Sequence, residues 1–308
     1  MIKIQGFSKK YDRFQAVKKV SLEVTKGDIF GFIGPNGAGK TTTIRFLVTL
    51  LPPTAGTATI DGHDVVKNVQ EVRRAIGYMP DSFGVYNGMK VWEFLDFFAV
   101  AYGVSRTQRA RLVGDVLALV DLHHKRDDFV NALSRGMKQR LCLAKTLVHD
   151  PPVLVLDEPA SGLDPRARIE MKELLKELRT MGKTIFISSH ILSELADCCT
   201  SVGIMERGEL LTAGPIEEIL RVMSDHRDIT VTVLGNPEEA DRWLTHHPKV
   251  RGVEREGQKI RFEFSGSDEE LAGLSDELFK RGHRPLWIGE NRPSLETIFM
   301  KVTKGQVQ

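Results

Sequence analysis

The sequence predicts an α/β fold of 308 residues: a mixed sheet core with an antiparallel β subdomain and an α-helical insertion, followed by a small α+β domain. Three observations predict it. A glycine-rich loop, Gly34 to Thr41, lies between the apolar run Ile29 to Ile33 and the helix-like segment Thr42 to Leu47. A second apolar run, Val153 to Leu156, ends in Asp157-Glu158, the pattern of a strand covered on both faces. Beyond residue 228, Ile229 to Leu234 opens a new series of alternating strands and short helices.

In chain order, strand signals fall at 2–7, 20–25, 28–33, 57–60, 74–78, 153–157, 184–188 and 201–206, with helical spacing between several of them. The stretch 90–148 is rich in apolar residues at helical intervals and has no convincing strand, so it reads as a helical insertion. The expected division is a first domain over residues 1–225, its helical subdomain at about 88–148, and an α+β domain over 226–308.

Composition narrows the class. A hydrophobic content of 41% supports a real core, and a net charge of +2 from 43 basic and 41 acidic residues creates no basic field, so no nucleic-acid partner is expected. The cysteines Cys142, Cys198 and Cys199 include no CxxC pair, which argues against a disulfide framework or a zinc site and fits a reducing cytosol. The pairs His123-His124 and His246-His247 lack a spaced ligand set and read as solvated histidines. No apolar run approaches the roughly 20 residues needed to cross a bilayer, and Met1 to Ile4 begin at once as a strand, so a cytoplasmic chain is expected.

The glycine-rich loop points to a nucleoside triphosphate with Mg²⁺. Gly34, Gly37 and Gly39 are expected at positive φ, bringing backbone amides against phosphate oxygens, with Pro35, Asn36 and Ala38 completing the loop. Lys40 adds a cation for the β- and γ-phosphates, Thr41 a hydroxyl for the metal, and the helix beginning with Thr42 its positive end. Asp157 is expected in the metal shell, and Glu158, one residue on, as the general base for the attacking water. The loop Ser161 to Asp164 presents an exposed aspartate, and the strand 184–188 delivers His190 just past its C-terminal end, where ligands sit in such sheets. A neutral His190 is expected to donate to the γ-phosphate while pairing with Glu158, or with Asp164 of another subunit.

Together these motifs resemble the nucleotide-binding subunit of an ATP-binding cassette transporter, over about residues 1–220. The resemblance implies a P-loop NTPase core, ATP and Mg²⁺ as ligands, Tyr11 stacked on adenine, and metal, base, dimer-loop and switch roles for Asp157, Glu158, Asp164 and His190. Leu133-Ser134-Arg135-Gly136-Met137 stands where the family has Leu-Ser-Gly-Gly-Gln; Ser134 and Gly136 are kept and would bind the γ-phosphate held by an opposing subunit. Arg135 would lie near that phosphate, strengthening closure or crowding it, and the sequence leaves both open. Asp81 replaces the family's usual glutamine as a metal contact, so altered coupling rather than lost binding is expected.

The same resemblance implies two subunits facing head to tail, a homodimer or a pair with a related ATPase subunit, docked on a separately encoded polytopic membrane permease at the inner face of the cell membrane. The loop Ser82 to Met89 reads either as the docking cup for that permease or as packed core. Residues 228–308, ending in Leu295-Glu296-Thr297-Ile298-Phe299, resemble accessory domains of bacterial export ATPases, which is the sole reason to expect export. The alternative is a soluble cassette protein that acts as a clamp or regulator; it is disfavoured because the chain has one cassette and no coiled-coil or zinc insertion. A third reading, a module with weakened turnover, is opposed by the intact Glu158.

Overall fold

Strands covered on both faces form the middle of the main sheet. The computed structural model describes residues 1–82, 84, 86, 88–191, 197–222 and 227–291. Its described chain separates into two compact units, Met1–Ile216 and one beginning at Glu217.

In the first unit β1 (Ile2–Tyr11) and β2 (Phe14–Val24) form a hairpin that places Tyr11 opposite Phe14. The strand β3 (Ile29–Ile33), buried at every residue, leads through the phosphate loop into α1 (Lys40–Leu47). Next come β4 (Ala55–Ile60), β5 (His63–Asp64), α2 (Val69–Ala75) and β6 (Ile76–Met79). The strands β1, β2, β4 and β5 make an antiparallel sheet ordered β2-β1-β4-β5, and Phe7 of that sheet stacks on Phe46 of α1 with ring centroids 4.0 Å apart.

The helical insertion comprises α3 (Val91–Ala101), α4 (Arg106–Leu119) and α5 (Arg135–Leu147). The chain continues through β7 (Val153–Asp157), α6 (Pro165–Thr180), β8 (Thr184–Ser189), β9 (Ser201–Glu206), β10 (Glu209–Pro215) and α7 (Ile216–Val222). A six-stranded sheet results, ordered β10-β9-β3-β8-β7-β6, with β10 antiparallel to β9 and the other pairs parallel. Because β3, β8 and β7 are neighbours, Ile33 pairs with Ser189 and Asp157 with Ser188, so Gly34, Glu158 and His190 leave the sheet side by side.

The expected strand at 74–78 is displaced. Residues 69–75 are helical because Val72 and Ala75, three apart, bury one face, and the chain becomes extended only at Ile76. The strand β2 begins at Phe14 rather than near residue 20, and β10 was not foreseen. As a sheet-edge strand β10 buries none of its seven residues completely and so lacks a strong apolar signal.

The second unit runs β11 (Arg227–Val233), α8 (Pro237–Thr245), β12 (Val250–Glu256), β13 (Lys259–Phe264), α9 (Asp268–Lys280) and β14 (Pro285–Glu290). Its strands pair antiparallel in the order β12-β13-β11-β14. Alternate residues of β11 and β13, from Ile229 to Phe264, point to one face and form a core with Ala240 and Leu244 of α8 and Leu274 and Leu278 of α9. The boundary at Ile216/Glu217 precedes the expected 225/226. The Leu295 to Phe299 motif lies outside the described residues. Among the described residues no helix is long and apolar enough to cross a membrane.

Candidate active site

A cavity of about 490 Å³ opens beyond the C-terminal ends of β3, β7 and β8. Of the expected residues, Tyr11, Asn36, Gly37, Gly39, Lys40, Thr41, Thr42, Asp81, Glu158 and His190 line it. Gly37 and Gly39 take φ of 80° and 105°, and Gly39 ends the loop as an N-cap without a side-chain cap, leaving the first turn of α1 open to an anion.

Gly34 differs from expectation: its φ is not positive. A Cβ there would overlap the Met205 carbonyl of β9, so close approach of two backbones, not a left-handed conformation, demands glycine. Pro35 is exposed, and Ala38 is turned into the core.

Lys40 is 6% exposed and folds onto its own loop, donating to the carbonyls of Gly34 (2.7 Å) and Pro35 (3.3 Å). Its Nζ also lies 3.5 Å from Glu158 Oε1. Burial lowers the ammonium's pKa, and the Glu158 charge opposes that shift.

Glu158 stands at a φ of 52°, unusual for a residue with a side chain, which turns its carboxylate back over the sheet end. There it meets Lys40 on one side and His190 Nδ1, at 2.8 Å from Oε2, on the other. Against an ionised carboxylate, which can only accept, Nδ1 would have to be the donor. The remaining Nε2 of a neutral imidazole is then an acceptor. The expected double role for a neutral His190, bonded to Glu158 and donating to a phosphate, is therefore corrected: both bonds together require the imidazolium.

Behind them Asp157 is fully buried, its Oδ1 accepting from the Ser188 hydroxyl at 2.6 Å while Oδ2 has no hydrogen-bond partner. Burial raises its pKa; the Ser188 and Thr41 hydroxyls pull the other way, and the charges of Asp81 and Glu158 add to the rise. An orphaned buried carboxylate oxygen beside a hydroxyl and a second carboxylate suits a hard divalent cation. Thr41, Asp157 and Asp81 would hold Mg²⁺, which when bound supplies neutralisation of phosphate charge. Asp81 Oδ1 accepts from the Ser82 amide at 2.7 Å.

Ser188 escaped the sequence reading as a functional residue. It donates to Asp157 and accepts from the Glu158 amide at 3.0 Å, joining the two carboxylate residues from the neighbouring strand. Its only sequence signal is position, one strand end opposite another. Ser188→Ala removes the hydroxyl that donates to Asp157 and leaves the Glu158 amide without its partner; unfolding in urea should show a loss of about 1–3 kcal/mol, and phosphate release should fall with it. Phe14 was missed too. It lines the cavity, 64% exposed, across the hairpin from Tyr11, which is 43% exposed and carries the Lys9 ammonium 5.2 Å from its ring centroid.

Ser134, Gly136 and Asp164 are not among the lining residues. Ser134 caps α5, accepting from the Met137 amide at 3.3 Å, and Asp164 caps α6, accepting from the Ala167 amide at 2.8 Å. A Cβ on Gly136 would stand 3.3 Å from that of Ala167, so the two caps adjoin. Tyr86 of the expected docking loop is half exposed, its ring 5.7 Å from Phe97 and 6.2 Å from Phe94; Phe83, Val85 and Asn87 lie outside the described residues.

This fold and cavity define a P-loop nucleoside triphosphatase. Residues 17–161 match the family model described as ABC transporter. The chain is 35% identical to the bacitracin transport ATP-binding protein BcrA of Bacillus licheniformis, over 99% of this chain and 98% of that protein. It is 32% identical to the Nod factor export ATP-binding protein I of Rhizobium sp. (strain N33), over 100% and 98%. A solved structure titled as the ATP binding subunit of an ABC transporter superposes with a TM-score of 0.65 at 30% identity, covering 72% of this chain and 92% of that one. The chain belongs to the ABC transporter ATP-binding proteins and is an ATP-hydrolysing cassette.

Proposed function

We infer that this chain works in pairs, each ATP·Mg²⁺ held by the phosphate loop of one copy and by Ser134, Gly136 and Asp164 of the other, and that closing and opening of the pair drives a separate polytopic permease. The observation that carries it is that the cavity lacks those three residues, while the two helix caps they belong to adjoin, with Ser134 and Asp164 exposed. A two-fold pair brings each such surface to the other copy's cavity.

The free chain holds its base in reserve. Lys40 and His190 both grip Glu158; a triphosphate competes for Lys40, loosening Glu158 to orient water, with Tyr11 and Phe14 flanking the adenine ring. Apolar side chains exposed on and after α3, Phe97, Val100 and Tyr102, with Tyr86 beside them, support a permease contact there, and hence a position at the inner face of the membrane. Export is the reading favoured by a relative whose name specifies Nod factor export. The second unit, with no catalytic set apparent in its described residues, is read as an accessory domain.

The test is sedimentation of the full chain with Mg²⁺ and ATP, and fractionation of cells that express it. Pairing dependent on ATP, and co-purification with a polytopic membrane chain, are expected. A chain that stays single with ATP, or that follows ribosomes instead of membranes, would favour the soluble clamp.

A further inference from the structure

Arg135, where the signature turn departs from its family's pattern, has a partner in its own chain. Its Nη2 donates to the Ser161 carbonyl at 3.3 Å. The guanidinium also occupies the space above Gly162: a Cβ there would stand 2.5 Å from Cζ and 2.9 Å from Nη1. Gly162 has a φ of 68°, so lack of a side chain serves both its backbone and the guanidinium stacked on it. One turn further along the same face of α5, buried Gln139 donates from Nε2 to the Pro159 carbonyl. A third residue of α5, Arg140, reaches Glu170 of α6 at 3.7 Å. Both ends of the segment Pro159–Ser161 are thus tied to the signature helix.

We propose that Arg135 is a positioning residue that ties the loop Ser161–Asp164 to the signature turn, so that Ser134, Gly136 and Asp164 meet a second copy's nucleotide as one rigid surface. This rests on the paired reading above for its consequence, but not for the tie itself, which lies within one chain. A direct contact between Arg135 and the opposing phosphate is the competing role, and the two differ in what a lysine can do. A lysine keeps the charge and cannot lie flat over Gly162 while donating to Ser161.

The test begins with the full chain and no nucleotide. Hydrogen exchange at the amides of 161–164 should quicken several-fold in Arg135→Ala, and equally in Arg135→Lys and Gly162→Ala, because each breaks the tie. With Mg²⁺ and ATP, Arg135→Ala should lower kcat about fivefold at unchanged KM, since the phosphate loop is untouched, and Arg135→Lys should not restore it. Unchanged exchange in Arg135→Ala overturns the proposal. So does recovery of kcat by lysine, which assigns the guanidinium to the opposing phosphate. Should the wild-type chain fail to pair with ATP, the paired reading falls while the exchange measurement still judges the tie.

Discussion

Glu158→Gln is expected to lower kcat for ATP hydrolysis by about 10²- to 10⁴-fold, the range typical for loss of a general base, while ATP affinity is retained. The carboxylate follows a strand buried at every residue, is 13% exposed and is gripped by Lys40 and His190, so on the reading proposed above it acts as base once a ligand draws Lys40 away. Glutamine keeps the shape and removes the charge. Without that charge Lys40 is a buried cation lacking its ion-pair partner, so the nucleotide-free variant should also unfold at lower temperature, and ATP should restore the loss by supplying negative charge. Phosphate release and thermal unfolding with and without ATP check both halves. Equal hydrolysis rates in wild type and variant would remove Glu158 from the role of base.

Lys40→Ala should cost at least about 30-fold in Kd for ATP, corresponding to the loss of about 2 kcal/mol or more when one partner of a buried charge pair is truncated. In the free chain the ammonium is held below its ordinary value of 10.5 by burial. The unfolded chain therefore binds that proton more tightly, and the cost of this residue to folding fades as pH rises towards 10.5. A triphosphate opposes the same cost at neutral pH by adding negative charge beside the ammonium. Titration with ATP should show weak binding in the alanine variant, together with loss of the thermal stabilisation that ATP gives the wild type. Wild-type affinity in the variant would mean that the loop amides alone bind the phosphates.

The parts of the site that could be read in advance are those whose signal is local. The run Ile29–Ile33 followed by glycines and Lys40-Thr41 needs only neighbours in the chain to be recognised, and so does Val153–Leu156 ending in Asp157-Glu158. A strand buried on both faces must be continuously apolar, and a loop that wraps phosphate must have glycine. Where pattern was weak, reading was poor. The edge strand β10 carries little apolar signal, and at 74–78 the apolar residues belong partly to a helix and partly to a strand.

Other features depend on residues far apart in sequence. Gly34 is glycine because of the Met205 carbonyl, and Ser188 matters because β8 lies beside β7. His190 was expected near Glu158, but only the tertiary structure shows that Nδ1 is the ring nitrogen that meets the carboxylate, at 2.8 Å.

By itself, then, the sequence determined the class of ligand and the order of the motifs, since those follow from backbone freedom and charge within short segments. Tertiary structure alone decided which polar atoms share partners: the Asp157 oxygen without a hydrogen-bond partner, the Lys40–Glu158–His190 chain of contacts, and the turn of Arg135 onto Gly162. Hydrogen bonds and ion pairs form or fail over fractions of an ångström, and those distances are set by sheet register and helix packing among segments that are not neighbours in the chain.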